Sequence, residues 1–133
     1  MDLMNLKPTS DIVEVLLVHP TTLDSLTNED GSEMSITIHA PHTKEYKAVM
    51  HEQTNRRIAK AQKRKGTSQL SAADLEADVI ELLAKATISW DLTYGKKKPK
   101  ATKELCTEVY TELFWIKDQI EEAITDSTDF TKA

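Results

Sequence analysis

The sequence predicts an α+β fold, mostly helical, with an N-terminal antiparallel β-hairpin followed by a bundle of three to four helices. Two short β-type runs lie within the first forty residues. Beyond them, stretches free of proline and glycine carry apolar residues at helical spacing. A chain of 133 residues suits one domain with a modest core. The single domain is expected to span 1–133, with 1–10 and 127–133 flexible, a hairpin over 11–40, a basic helix over 43–65 and a helical part over 71–126.

Ile12-Val13-Glu14-Val15-Leu16-Leu17-Val18-His19-Pro20 is β-branched, apolar and stopped by proline, which reads as a strand. Met34–Ala40 alternates apolar and polar residues, as a half-buried strand should. The intervening loop ends in Asn28-Glu29-Asp30-Gly31, rich in turn formers. A lone hairpin is marginal in water, so helices must cover its apolar face.

Thr43 is a natural N-cap for a helix running from Lys44 to about Lys65, with Gly66 as its C-cap. Ser71 and Asp74 form a capping-box pair at the start of the next helix. Its apolar stripe is expected to run Leu75, Val79, Leu82, Leu83, Ala86 and then Trp90. Gly95 and Pro99 break that helix, and Thr102 caps a short one from Lys103 to about Tyr110. Leu113, Ile116, Ile120 and Ile124 mark a last amphipathic helix. In Ile88-Ser89-Trp90-Asp91-Leu92-Thr93-Tyr94-Gly95-Lys96-Lys97-Lys98-Pro99, Trp90 then reads as the helix's last core residue and the lysines as a solvated corner.

Charge is unevenly placed. Residues 1–43 carry one lysine against seven acids; 44–65 carry eight basic residues against two acids; 66–133 carry eight against thirteen. A basic rod between acidic regions points to association, with itself or with a partner. Arg56, Arg57, Lys60, Lys63 and Arg64 are its candidate binding residues. The rod could contact phosphate, making a small nucleic-acid-binding regulatory protein the alternative reading for helix 56–65. No aromatic residue interleaves these charges, so base stacking is not offered. Leu113-Phe114-Trp115-Ile116 cannot all lie on one narrow helical stripe, so Phe114 or Trp115 should cover a second neighbour, either a helix or a partner.

Catalytic signatures are not found. His19, His39, His42 and His51 lack zinc-like spacing, and Cys106 has no histidine downstream. The three glycines stand apart, so there is no phosphate loop. A non-enzymatic protein without metal or cofactor is expected. One cysteine, no apolar run of membrane-spanning length and no signal-peptide pattern point to the cytoplasm and away from membranes.

Several stretches together resemble the tail assembly chaperones of lambda-like, long-tailed bacteriophages. They are Val15–Thr22, a strand running into a His-Pro turn, followed by Ser35-Ile36-Thr37-Ile38; Lys44–Ala48 leading to Asn55-Arg56-Arg57; and Leu83–Leu92 with Gly95-Lys96, closing with Ile116-Lys117-Asp118-Gln119-Ile120-Glu121-Glu122-Ala123 and a late Phe130. The likeness covers most of the chain through motifs that are individually weak. It departs at Lys97-Lys98-Pro99-Lys100-Ala101, where relatives often read apolar-Pro-aromatic. The resemblance implies binding to the helical tape measure protein to keep it soluble, help for tail tube protein assembly, self-association into an oligomer, and a longer frameshifted product. Phe114, Trp115 and the basic rod are the candidate partner-binding residues.

Overall fold

The fold was analysed in a computed structural model, which describes residues 2–6, 10–63 and 71–127. Strand β1 is Ile12–Leu16 and β2 is Ser35–His39. They pair antiparallel with Val13 opposite Ile38 and Val15 opposite Ile36. These four side chains are buried on one face, while Ile12, Glu14 and Leu16 point to the open face. The alternation in sequence is therefore the alternation of the sheet. The hairpin and its helical cover form the predicted α+β fold.

A third strand departs from the sequence expectation. The helix opened by Ser71 ends at Ala86, and β3, Thr87–Asp91, follows it directly. It pairs antiparallel with β2, with Trp90 opposite Ile36, giving the order β1-β2-β3. Thus 71–126 is not wholly helical, and Trp90 is a strand residue rather than the end of a helical stripe. Thr87-Ile88-Ser89-Trp90 is β-branched and aromatic, and it finds a ladder partner in β2 that a continued helix would forfeit. A bulge between Thr37 and Ile38 absorbs the irregular start of β3.

Helix α1 is Lys44–Lys63, α2 is Ala72–Ala86, α3 is Lys103–Glu112 and α4 is Phe114–Ser127. Thr43 Oγ1 accepts from the Tyr46 N–H at 3.3 Å and donates to the Ala40 carbonyl at 2.7 Å, so one hydroxyl closes β2 and opens α1. Ser71 and Asp74 make the reciprocal capping box, and Thr102 Oγ1 accepts from the Leu105 N–H. The expected end of α1 at Lys65 and Gly66, and the tail beyond Ser127, lie outside the described residues. Of the first ten residues, Leu3–Leu6 form a single 3-10 turn.

The core lies between the sheet and α2, α3 and α4. Ile36, Ile38, Leu83, Cys106, Val109, Tyr110 and Ile120 are essentially sealed from solvent. The buried face of α2 is Ile80, Leu83, Ala84 and Ala86, whereas Leu75 is exposed, so the stripe is rotated from the expected one. Neighbours on several sides widen the buried face beyond the single stripe of a surface helix. Tyr110 Oη meets Thr87 Oγ1 at 2.7 Å, and Thr87 donates to the Leu83 carbonyl at 2.7 Å. Trp90 stacks edge-on against Tyr110 and donates its indole N–H to the Pro99 carbonyl. This polar chain stitches α2, β3 and α3 together through satisfied groups.

Candidate protein-binding site

The four-residue apolar run is resolved by a break in the helix. Leu113 has φ −111° and ψ 68°, outside the helical region, and separates α3 from α4. Its N–H still reaches the Val109 carbonyl, and its own carbonyl takes the Ile116 N–H. The new helix axis sends each side chain a different way. Ile116 enters the core, Trp115 is half-buried, and Phe114 stands 61% exposed.

Beside this break opens an apolar cavity of about 200 Å³. Leu17 just after β1, Met34 just ahead of β2 and Leu92 just after β3 form one wall. Val109, Leu113 and Trp115 form the other, with Tyr94 also lining it. Glu104, Glu108 and Glu112 follow one another four residues apart along α3, all exposed. Burial, and then the charges of Glu108 and Glu112, push the Tyr94 phenol above its ordinary ionisation range. Glu108 and Glu112 directly precede Val109 and Leu113, which line the cavity, so α3 brings these two exposed carboxylates to its border.

Tyr94 is placed by a tight turn. Gly95 and Lys96 have φ of 63° and 64°, and Tyr94 N–H bonds the Lys97 carbonyl at 2.8 Å. Two consecutive left-handed residues make the turn type that glycine favours and that suits a two-residue hairpin. The lysine run is not merely a solvated corner. Lys98 Nζ lies 3.0 Å from Asp30 and 2.9 Å from Asp91. Buried Asn28 also donates to Asp91 and accepts from Thr93 Oγ1 at 2.6 Å, fixing the long hairpin loop to this corner. Ser32 hydrogen bonds first, and then Lys98, hold the Asp30 carboxyl far below its usual range.

The basic rod takes a different position. Arg57 Nη2 lies 2.6 Å from Asp78, and Arg56 Nη2 lies 2.7 Å from Glu81, both acids on α2. Buried Gln53 donates to Glu81 Oε1 at 2.9 Å and to the Asp78 carbonyl at 2.8 Å. Hydrogen bonds from Arg56 and then Gln53 lower the Glu81 pKa to about 2. Tyr46 and Gln53 are the buried residues of α1, so charge carries much of its attachment to α2. Lys60 and Lys63 are exposed, while Arg64 lies outside the described residues.

The seven candidate residues thus divide. Arg56, Arg57 and Lys60 line a polar groove of about 340 Å³ between α1 and α2. Trp115 belongs to the apolar cavity, with Phe114 next to it in the chain, and the two linings share no residue.

Sequence reasoning missed Gln119. Its Oε1 accepts from the Val18 N–H at 3.1 Å and its Nε2 donates to the Val18 carbonyl at 2.8 Å. On its other side this segment bonds to Asp24 and Leu26 in the hairpin loop. The Gln119 amide thus stands in for a neighbouring strand at the sheet edge. In the sequence its one signal is its place in the Ile-x-x-Gln-Ile pattern.

His19 Nδ1 accepts from the Thr21 and Thr22 N–H groups and so organises the His-Pro turn. His42 Nε2 lies 3.0 Å from Asp11. Cys106 is buried, and burial pushes its thiol pKa up. Among the described residues, no group of three or more His, Cys, Asp or Glu is placed to hold a metal ion. No helix among them is long and apolar enough to cross a membrane. No protein family, curated protein or solved structure matches the chain.

Proposed function

We propose that this protein is a non-enzymatic phage tail assembly chaperone that binds the tape measure protein and keeps it soluble during tail tube assembly. The observation that carries the reading is the open apolar cavity at the α3–α4 break, lined by Leu113 and Trp115, the two chain neighbours of the exposed Phe114. A helical client that would otherwise aggregate needs reversible cover for its apolar stripe, and such a surface offers it without chemistry. Support comes also from the sequence resemblance. With it come the proposals of a host-cytoplasmic location, contact with the tail tube protein, self-association and a longer frameshifted form.

Co-expression with a tape measure fragment tests the reading. Wild type should keep the fragment in the soluble fraction, and Phe114→Glu should lose much of that effect while remaining folded, because the side chain is exposed. A fragment that stays insoluble with wild type would refute it. Involvement of the basic rod is tested with Lys60→Glu/Lys63→Glu. Reversing Arg56 and Arg57 would instead set like charges against Asp78 and Glu81 and disturb the α1–α2 attachment itself. That same engagement weakens the nucleic-acid alternative, since it occupies two of the cations a phosphate would use.

A further inference from the structure

Resting on that reading, we infer that the cavity takes one large apolar side chain from a basic amphipathic helix, whose Lys or Arg residues meet Glu108 and Glu112.

Size sets the anchor. An engineered apolar cavity of about 150 Å³ binds benzene. A space of about 200 Å³ walled by Leu17, Leu92, Val109 and Trp115 therefore has room for one Leu, Met or Phe side chain. Shape sets the approach: Phe114, projecting from the first turn of α4, is available to lie against the flank of an incoming helix. Charge sets the partner. Glu108 and Glu112 are one helical turn apart, about 6 Å, and a partner helix with Lys or Arg four residues apart matches that interval. Opposite charges at the edge of an apolar contact speed encounter and select the partner, while the buried anchor supplies affinity.

Two other occupants fit less well. The chain's own basic helix has Arg56 and Arg57 engaged by Asp78 and Glu81, so a second copy would have to offer it already neutralised in part. The chain's final segment carries Asp126 and Asp129 against Lys132 and would meet the glutamates with like charge.

The test uses the full chain and synthetic helical peptides of about 14 residues. One carries a Leu anchor flanked by Lys at four-residue spacing, the second has Glu for each Lys, and the third has Ala for the anchor. Binding is followed by calorimetry and by the Trp115 indole N–H resonance. The Leu/Lys peptide should bind and shift that resonance, and both control peptides should bind at least about tenfold more weakly. Glu108→Lys/Glu112→Lys, exposed and therefore expected to fold, should weaken the Leu/Lys peptide about tenfold and favour the Glu peptide. Affinity should fall as salt rises from about 50 to about 500 mM.

Equal binding of the Lys and Glu peptides, no response to the double glutamate reversal, or no binding of the Leu/Lys peptide would overturn the inference. So would a concentration-dependent dimer that uses this surface and is dissociated by the Leu/Lys peptide, since a second copy would then be the occupant. If the peptide fails while wild type still keeps the tape measure fragment soluble, the partner chemistry is wrong and the chaperone reading stands. If the fragment is not solubilised, the chaperone reading falls whatever the peptides do.

Discussion

Gln119→Leu removes the side-chain amide that pairs with the Val18 backbone just after β1 while keeping the side chain's approximate volume. Two hydrogen bonds are lost, at 3.1 and 2.8 Å, and both backbone groups of Val18 lose their partner. Each such bond contributes about 0.5–1.5 kcal/mol net, and half-buried Val18 lets water recover part of the loss, so a cost of about 2 kcal/mol is expected. For a domain of this size that lowers the thermal midpoint by about 6–10 °C. Gln119→Glu sharpens the test. Its carboxylate still accepts from the Val18 N–H but faces the Val18 carbonyl without a proton, so it should be at least as damaging at neutral pH. A protonated carboxyl donates and accepts as the amide does, so the folded state raises this pKa above the free value of about 4.3. The recovered stability is then complete below about pH 4.3 and is lost as pH rises through the raised folded value. Urea denaturation of wild type and both variants at neutral pH and near pH 4 measures this, with exchange of the Val18 amide as the local probe. The reasoning is refuted if Gln119→Leu stays within about 0.3 kcal/mol of wild type and the Val18 amide keeps its protection.

Three further outcomes are expected. The Glu81 carboxyl, lowered to about 2 from an ordinary 4.5, stabilises the fold above pH 4.5 and ceases to as pH falls through about 2. After allowance for the partly exposed arginine, that acid-dependent loss should be about 1–2 kcal/mol and absent in Glu81→Gln, as urea titrations across this window would show. Tyr110→Phe should cost about 1 kcal/mol by removing the Tyr110 hydroxyl from Thr87 Oγ1, which keeps its bond to the Leu83 carbonyl, and Tyr110→Ala about 3–5 kcal/mol by opening the core, both measured by equilibrium unfolding. Gly95→Ala should cost about 1–2 kcal/mol from backbone strain at φ 63° alone, because an added Cβ meets nothing within 4 Å; thermal melts decide this.

The hairpin was legible because one residue in two is buried along both strands, and a period of two is the period of a pleated strand rather than of a helix. The starts of α2 and α3 were legible because Ser71, Asp74 and Thr102 act on backbone groups within three residues of themselves. Strand β3 was not legible. Trp90 falls four residues after Ala86, so helical spacing persisted on paper, while the competing attraction came from β2, about fifty residues earlier in the chain. The two candidate surfaces were named as residues, but their separate surroundings depended on long-range contacts. Asp78 and Glu81 become partners of Arg57 and Arg56 only because α1 lies against α2. Trp115 lines a cavity only because Leu17, Met34 and Leu92 arrive there from distant parts of the chain. Gln119 escaped notice for the same reason, since its partner lies 101 residues away.

Hydrogen exchange of the full chain with and without a tape measure fragment decides whether the client is held at the α3–α4 break. Added protection is expected around Leu113–Ile116 and at Leu92–Tyr94, with little change along residues 56–60. Protection confined to α1, with the break unchanged, would contradict a client held there.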